Sequence, residues 1–295
     1  MSMEVSSGGL APPGAAEAPR AMPSRAGTLS HPANWRRAAS HVASVVAPVA
    51  LPLLLLAIVA SAWEAMAVAL HSPLVPHLPE IGKELARIFR GGHFFGEMAV
   101  TLLRVGAGFT IAFAVAVAAG IAMGRQKTVA HFLEPAIIVG LTVPGLVWAL
   151  LCVIWFGIGL TGAAVAVALS IAPALLLNIL QGVRAVDAEL LEVAAMLRLP
   201  LRKRLACLWL PSLMPALLGG ARLGLSLAWK VVVLVELFGL SSGIGYQLNS
   251  EFGAQNVAGV IAWTLGFAAV MGVLEYGVLA QLEHHLMRWR RTAQV

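Results

Sequence analysis

The sequence predicts an all-α integral membrane protein with six transmembrane helices. Of the 295 residues, 59% are hydrophobic and 12% charged, and the mean hydropathy is +0.86, which lies outside the range of soluble globular domains. The apolar residues gather in runs of about 20, the length a helix needs to cross a hydrocarbon core of about 30 Å. Pro, Gly or charge separates these runs, as expected where every backbone polar group in lipid must be satisfied internally. The same composition excludes other classes. There is no Gly period for a collagen, Leu, Val, Ile and Phe are too frequent for a polar disordered chain, and the two cysteines, Cys152 and Cys207, show no Cys-x-x-Cys or clustered Cys/His spacing for a disulfide scaffold or metal site.

Residues 1–40 come first and differ in kind. They are rich in Ala, Ser and Gly and carry Pro12, Pro13, Pro19, Pro23 and Pro32, so they cannot bury enough apolar surface to order themselves. A flexible, disordered cytoplasmic tail is expected rather than a signal peptide, because the apolar run that follows is of span length and lacks a convincing cleavage site. The six runs, within the stretch 41–295, lie at about 44–70, 98–123, 135–156, 160–182, 213–238 and 257–280. Between the first two, Pro73 and Pro76 open a segment in which Ile81, Leu85, Ile88 and Phe89 recur at helical spacing until Gly91-Gly92. This segment reads as an amphipathic helix at the outer surface. Gly120 with Gly124, and Gly220 with Gly224, stand four residues apart. Such pairs let helices approach closely, either inside one bundle or across a dimer interface. No internal repeat is present, so any two-fold symmetry would have to come from a second chain.

Topology follows from the basic residues. The tail carries Arg20, Arg25, Arg36 and Arg37; the second connection Arg125 and Lys127; the fourth Arg184, Arg198, Arg202, Lys203 and Arg204; the C-terminus Arg288, Arg290 and Arg291. The alternate connections hold only Lys83, Arg87 and Arg90, and Arg104, Arg222 and Lys230 fall within or at the ends of spans. Both termini are therefore expected in the cytoplasm. The formal charge of +6 does not point to nucleic acid, since the cations are dispersed among loops rather than aligned with aromatics.

The fourth connection, about 183–212, holds an amphipathic stretch from Asp187 to Pro200. Asp187 can cap its start, Glu189 favours the positive end of the helix dipole, and Pro200 disfavours helix at Leu199. A helix of about three turns is expected, with Leu190, Val193, Ala194 and Leu197 on one face. Beside Arg202-Lys203-Arg204, that face suits docking into another protein's groove or lying on lipid headgroups.

At these residues the chain resembles the permease subunit of a bacterial ATP-binding-cassette importer of the nitrate/sulfonate/taurine/bicarbonate group. The resemblance covers nearly everything after the tail: Thr101-Leu-Leu-Arg104 with Gly108-Phe109, Gly120 to Gly124-Arg125, Leu133-Glu-Pro135, Val143-Pro144, Trp155-Phe-Gly-Ile-Gly159, Asn178 with Gly182-Val-Arg184, Leu191-Glu-Val-Ala194, Leu210-Pro211, Ala228-Trp229, Glu236 and Gly243-Ile-Gly245. It implies the six-span type I ABC importer (MetI-like) permease fold in a bacterial plasma (inner) membrane. It also implies that the region Glu192 to Ala195 forms a coupling helix, with Glu189, Glu192, Val193, Ala194, Ala195, Leu197 and Arg198 as ATPase-coupling residues. The implied partners are two cytoplasmic ABC ATPase subunits that use ATP-Mg, an external or periplasmic solute-binding protein, and a second permease copy in a homodimer. No cofactor is expected on this chain itself. One departure stands out: members of the group usually have Gly six residues after the motif Glu, and this chain has Arg198. A side chain is penalised in a left-handed turn, so a different turn shape and a specialised ATPase are expected.

Signals for an enzyme are weak. Gly124-Arg-Gln-Lys127-Thr128 superficially resembles a phosphate loop but lacks the Gly-x4-Gly-Lys-Ser/Thr spacing, and His284-His285 has no supporting carboxylate or Cys pattern. ATP hydrolysis is therefore expected in a separate subunit. Charges inside spans carry more weight, because Lys at a helix centre costs roughly 2.5–3.5 kcal/mol. Lys230 and Glu236 are separated by about 9 Å of rise and about 240° of rotation, so they are not a same-face pair. Lys230 either attracts an anionic solute or is neutralised by a neighbour, and Glu236 serves either structural hydrogen bonding or solute contact. Trp148, Asn178 and Trp229 complete the candidate substrate pathway. The resemblance favours small anions such as sulfonates, taurine or nitrate, with an aromatic or pyrimidine compound as the alternative. An autonomous ion-coupled transporter or channel is the rival of another class, although the intramembrane charges form no evident relay.

Overall fold

The apolar runs of the sequence are helical, the third with a break at Val143-Pro144, in the computed structural model, which describes residues 33–279 together with Gln281 and His285. The elements are α1 (Ala33–Leu70), α2 (Leu78–Arg90), α3 (His93–Arg125), α4 (Lys127–Thr142), α5 (Gly145–Phe156), α6 (Leu160–Arg184), α7 (Ala188–Met196), α8 (Leu201–Arg204), α9 (Leu210–Gly239), α10 (Ile244–Gly253) and α11 (Val257–Gly272). A π-helical turn, Leu205–Trp209, leads into α9, and another, Val273–Leu279, extends α11. No strand occurs among the described residues. Helix α1 begins at Ala33, inside the stretch assigned to the tail, and residues 1–32 of that tail lie outside the described residues.

Four helical stretches are long and apolar enough to cross a membrane: Ala50–Leu70, His93–Arg125, Leu160–Arg184 and Val257–Gly277. Two bent pairs, α4 with α5 and the Arg202–Gly239 stretch with α10, bring the number to six if each counts as one span. The third expected span, 135–156, is thus corrected from one continuous helix to two helices meeting at 101°. The cause is local. Pro144 has no N–H to donate and forces the preceding residue out of the helical region, and Val143 is extended at φ −71°, ψ 121°. Helix α10 was not expected from the sequence at all.

The chain packs as two units divided between Val59 and Ala60. In the first, α1 presents Leu51, Leu53, Leu54, Leu55 and Leu56 as exposed side chains, a surface that costs nothing against hydrocarbon. The second unit contains the remaining helices and two apolar clusters. The larger joins α3, α5, α6 and α9 through residues such as Ala112, Ala116, Cys152, Val167, Ile171, Leu175, Ile179, Val232 and Val235. Lipid supplies no hydrophobic force between helices, so close backbone approach has to supply dispersion contacts instead. Gly120 and Gly124 of α3 face Ile179 and Val183 of α6, and Gly220 and Gly224 of α9 face Asn178 and Leu175 of α6. A Cβ at any of the four would come within 3.2 Å of those side chains. Both glycine pairs therefore act inside this bundle.

The smaller cluster joins Ile88 of α2, Phe94 and Met98 of α3, Ile244 of α10, and Ala262 and Trp263 of α11. Helix α2 is the amphipathic helix expected from the spacing, but its apolar face packs on protein: Ile81 and Ile88 are buried and Leu85 lies against the cluster. Polar contacts pin its ends. Glu64 Oε2 accepts from Leu78 N at 2.9 Å and Glu64 Oε1 stands 2.8 Å from His77 Nδ1. Trp63 Nε1 donates to the Pro76 carbonyl at 3.0 Å. At the other end, Arg87 pairs with Glu84 at 2.6 Å and with Glu251 of α10 at 2.9 Å.

Candidate functional site

Two assemblies stand out, at opposite ends of α9. The first is α7 with the turn that follows it. Asp187 Oδ1 accepts from Glu189 N at 2.9 Å, the capping contact its position predicts. The helix covers nine residues, Ala188–Met196, shorter than the three turns expected. It closes through Leu197 N to the Val193 carbonyl at 3.0 Å and Leu199 N to the Ala194 carbonyl at 3.2 Å. That second bond spans five residues and requires a left-handed residue before Leu199. Arg198 adopts it at φ +47°. The turn therefore keeps the shape that Gly would give, in spite of the Cβ, and the altered shape expected from Arg198 is corrected. Arg204 adds a second contact, with Nη2 donating to the same Ala194 carbonyl at 3.3 Å, so the negative end of the α7 dipole is met by a guanidinium.

Exposure on α7 revises the expected face. Leu190, Val193, Met196 and Leu197 are exposed, at 48%, 51%, 80% and 66%, whereas Ala194 is buried. Helical spacing groups Ala194 with Leu190 and Leu197, but Ala194 is buried where they are exposed, and its carbonyl receives Arg204. Glu189, Glu192 and Arg198 are exposed, and the Ala195 side chain lies outside the described set.

The second assembly is a buried polar latch between α3 and the α9–α10 turn. Glu236 is fully enclosed, Thr101 likewise, and Arg104 is 6% exposed. Arg104 Nη1 donates to Glu236 Oε1 at 2.7 Å and to the Ser242 carbonyl at 2.7 Å, while Nη2 reaches Ser242 Oγ at 2.7 Å. Gly245 N donates to Glu236 Oε2 at 2.9 Å. Thr101 Oγ1 lies 3.0 Å from both carboxylate oxygens and accepts from Ile244 N at 3.0 Å. Glu97 extends the set by accepting from Gly243 N and, at 2.9 Å, from Gln247 Nε2. Buried charges persist in apolar surroundings only when paired and hydrogen-bonded, and these are. Gly243, at φ +99°, is required twice over: its conformation is left-handed, and a Cβ there would fall on the Glu236 carboxylate.

The five candidate pathway residues have distinct surroundings. Glu236 belongs to the latch. Trp229 is half-buried and meets Phe267 edge-on at 6.5 Å. Lys230, the next residue, is exposed on α9. Trp148 on α5 and Asn178 on α6 are half-buried, and Trp148 Nε1 and Asn178 Oδ1 are enclosed without a hydrogen-bond partner among the described residues. Sequence reasoning did not single out Arg104 or Thr101 as site residues. The available signal was Arg104 itself: a guanidinium in an apolar span demands a carboxylate, and Glu236 was already in view.

An all-helical bundle with broken spans, a capped helix between α6 and α9, and a buried ion pair joining two of the spans is the architecture of a multi-pass membrane protein. Residues 92–288 match the family described as binding-protein-dependent transport system inner membrane component, and the chain belongs to that family. It is 30% identical over 246 residues to a Bacillus subtilis (strain 168) protein provisionally named aliphatic sulfonates transport permease, covering 81% of this chain and 87% of that one. It is 31% identical over 243 residues to the taurine transport system permease protein of Escherichia coli (strain K12), covering 79% and 86%. The crystal structure of an amino acid ABC transporter with histidines shares the fold at a TM-score of 0.55 and 19% identity, over 68% of this chain and 97% of that one. The chain is thus a multi-pass membrane permease of a binding-protein-dependent transport system.

Proposed function

We propose that the chain pairs with a second copy in a bacterial plasma membrane, both termini cytoplasmic, and forms the path through which a small organic anion of the sulfonate class enters the cell. A solute-binding protein delivers the anion from outside. Two cytoplasmic ATPase subunits, separate polypeptides, bind and hydrolyse ATP-Mg and drive the path between outward- and inward-facing states. The observation that carries this reading is α7: a short helix capped at both ends that holds four apolar side chains outward, flanked by Glu189 and Glu192. An exposed apolar helix face of this kind fits a groove on a partner protein. Differential contact there, stronger in one state than the other, is what lets nucleotide bias the bundle. The sulfonate assignment is supported by the two relatives named for sulfonate and taurine transport and by Lys230, an exposed cation on a membrane helix.

The test is mass spectrometry of the tagged chain purified gently from its native membrane. Recovery of a nucleotide-binding ATPase and a solute-binding protein carrying an organic sulfonate is expected. Recovery of the chain alone, under conditions that preserve a known importer complex, would overturn the reading.

A further inference from the structure

The left-handed turn at the end of α7 is demanded by the cap, but the side chain at its apex is not. Leu199 N can reach the Ala194 carbonyl only if residue 198 is left-handed, and Gly meets that demand without the steric penalty a Cβ brings. Arg198 is there instead, exposed, and forms no ion pair with any carboxylate among the described residues. Nothing among the described residues accounts for keeping a charged side chain at a strained position, and strain of this kind collects where a residue serves a binding surface.

The surroundings of Arg198 define that surface. Along α7 and its turn the exposed groups run Glu189, Leu190, Glu192, Val193, Met196, Leu197 and Arg198, so both carboxylates stand before the last apolar residues and the cation comes after them. The nearby cations divide their work. Arg204 turns back to cap the Ala194 carbonyl, while Arg202 and Lys203 are exposed beyond the turn. The exposed surface therefore carries its carboxylates, interleaved with apolar side chains, in the first part of α7 and its cation at the tip. A groove that receives such a helix is complementary in one direction only, because a reversed helix would set like charges together.

We infer that Arg198 is a partner-recognition residue, its guanidinium paired with a carboxylate on the nucleotide-binding subunit that receives α7, fixing the direction in which the helix docks. The inference rests on the reading of α7 as the ATPase-docking element and names the chemistry of the partner surface at its tip. The charge, not the shape of the turn, makes the contact.

Four variants separate charge from backbone shape. Arg198→Lys keeps the charge and the strained turn, Arg198→Ala keeps only the strain, Arg198→Gly loses both, and Arg198→Glu reverses the charge. Each chain, in nanodiscs, is titrated with the nucleotide-binding subunit that co-purifies with the wild type, at low and high salt. Arg198→Lys is expected to bind within about threefold of wild type, and Arg198→Ala and Arg198→Gly about three- to tenfold more weakly, with a shallower salt dependence. Arg198→Glu is expected to bind more weakly still, and to be rescued when one acidic residue of the ATPase groove is changed to Lys. Amide exchange within α7 is expected to slow in Arg198→Gly, which shows that the turn is intact while binding falls. Wild-type affinity in Arg198→Ala and Arg198→Gly overturns the inference and leaves α7 docking in place. Failure of any nucleotide-binding subunit to bind the wild-type chain removes the docking reading itself.

Discussion

Arg104 on α3 and Glu236 on α9 meet at 2.7 Å in a place sealed from solvent, and the same carboxylate receives the backbone N–H of Gly245 at 2.9 Å. One ion pair therefore fastens two membrane helices and the turn into α10 together. Removing one partner leaves the other charged, buried and unpaired. Arg104→Ala and Glu236→Ala are each expected to destabilise the protein by about 3–5 kcal/mol, whereas Arg104→Met with Glu236→Leu should cost far less than the sum. A double-mutant cycle of thermal unfolding in detergent measures the coupling, and strictly additive losses would contradict the latch.

Gly243 holds the latch open to the carboxylate. Gly243→Ala places a Cβ both in a left-handed backbone and against Glu236. A loss of about 1–3 kcal/mol is expected from backbone strain, with more from displacing the carboxylate. Gly253, whose Cβ would meet nothing within 4 Å, supplies the control, and Gly253→Ala should unfold near the wild-type temperature.

Gly124 of α3 packs directly against Val183 of α6. Gly124→Leu overpacks that contact and is expected to cost about 1–3 kcal/mol or to push the helices apart. Unchanged stability, read by thermal unfolding of the purified chain, would mean that the two helices do not meet there.

At the other end of α9, Asp187 supports the start of α7 through Glu189 N. Asp187→Ala is expected to lose about 1 kcal/mol of local helix stability, seen as roughly fivefold faster amide exchange in α7 with the rest of the bundle unaffected. Asp187→Asn, which keeps the acceptor, should exchange nearly as slowly as wild type.

Lys230 tests the anionic solute. Lys230→Gln is expected to raise KM for taurine uptake roughly tenfold, the order of one lost charge-assisted contact, while Lys230→Arg retains most of the affinity. Equal KM values in the two variants would remove Lys230 from the path.

The fold was legible because hydropathy is periodic on the scale of a bilayer. Five of the six runs are helical over their described residues, although α1 begins at Ala33, well before its run. The third was read through Val143-Pro144, since hydropathy is blind to the missing N–H that bends α4 against α5 by 101°. Helix α10 escaped because Ile244–Gly253 is short and mixed in polarity, and its place is set by Glu236 across the turn rather than by its own pattern. The glycine pairs were legible as contact points, but only the partner residues on α6 place them inside the bundle. At the site, Asp187 and the cap of α7 followed from spacing. The burial of Ala194 did not, because a helical wheel groups it with the exposed Leu190 and Leu197 and carries no tertiary contact such as that of Arg204 with its carbonyl. Arg104 and Glu236 were each visible as intramembrane charges, but 132 residues separate them in the chain, and pairing over that distance is fixed by packing alone.

The central claim is that this chain moves solute only when a separate ATPase drives it through α7. Uptake of radiolabelled taurine into proteoliposomes measures this directly, with the chain, its nucleotide-binding subunit, its solute-binding protein and internal or external ATP supplied in every combination. Uptake is expected only when all components are present with ATP on the side of the nucleotide-binding subunit, and it should fall at least tenfold in Glu192→Arg with membrane insertion intact. Concentrative uptake by the chain alone, or full ATP-driven uptake by Glu192→Arg, would contradict the account.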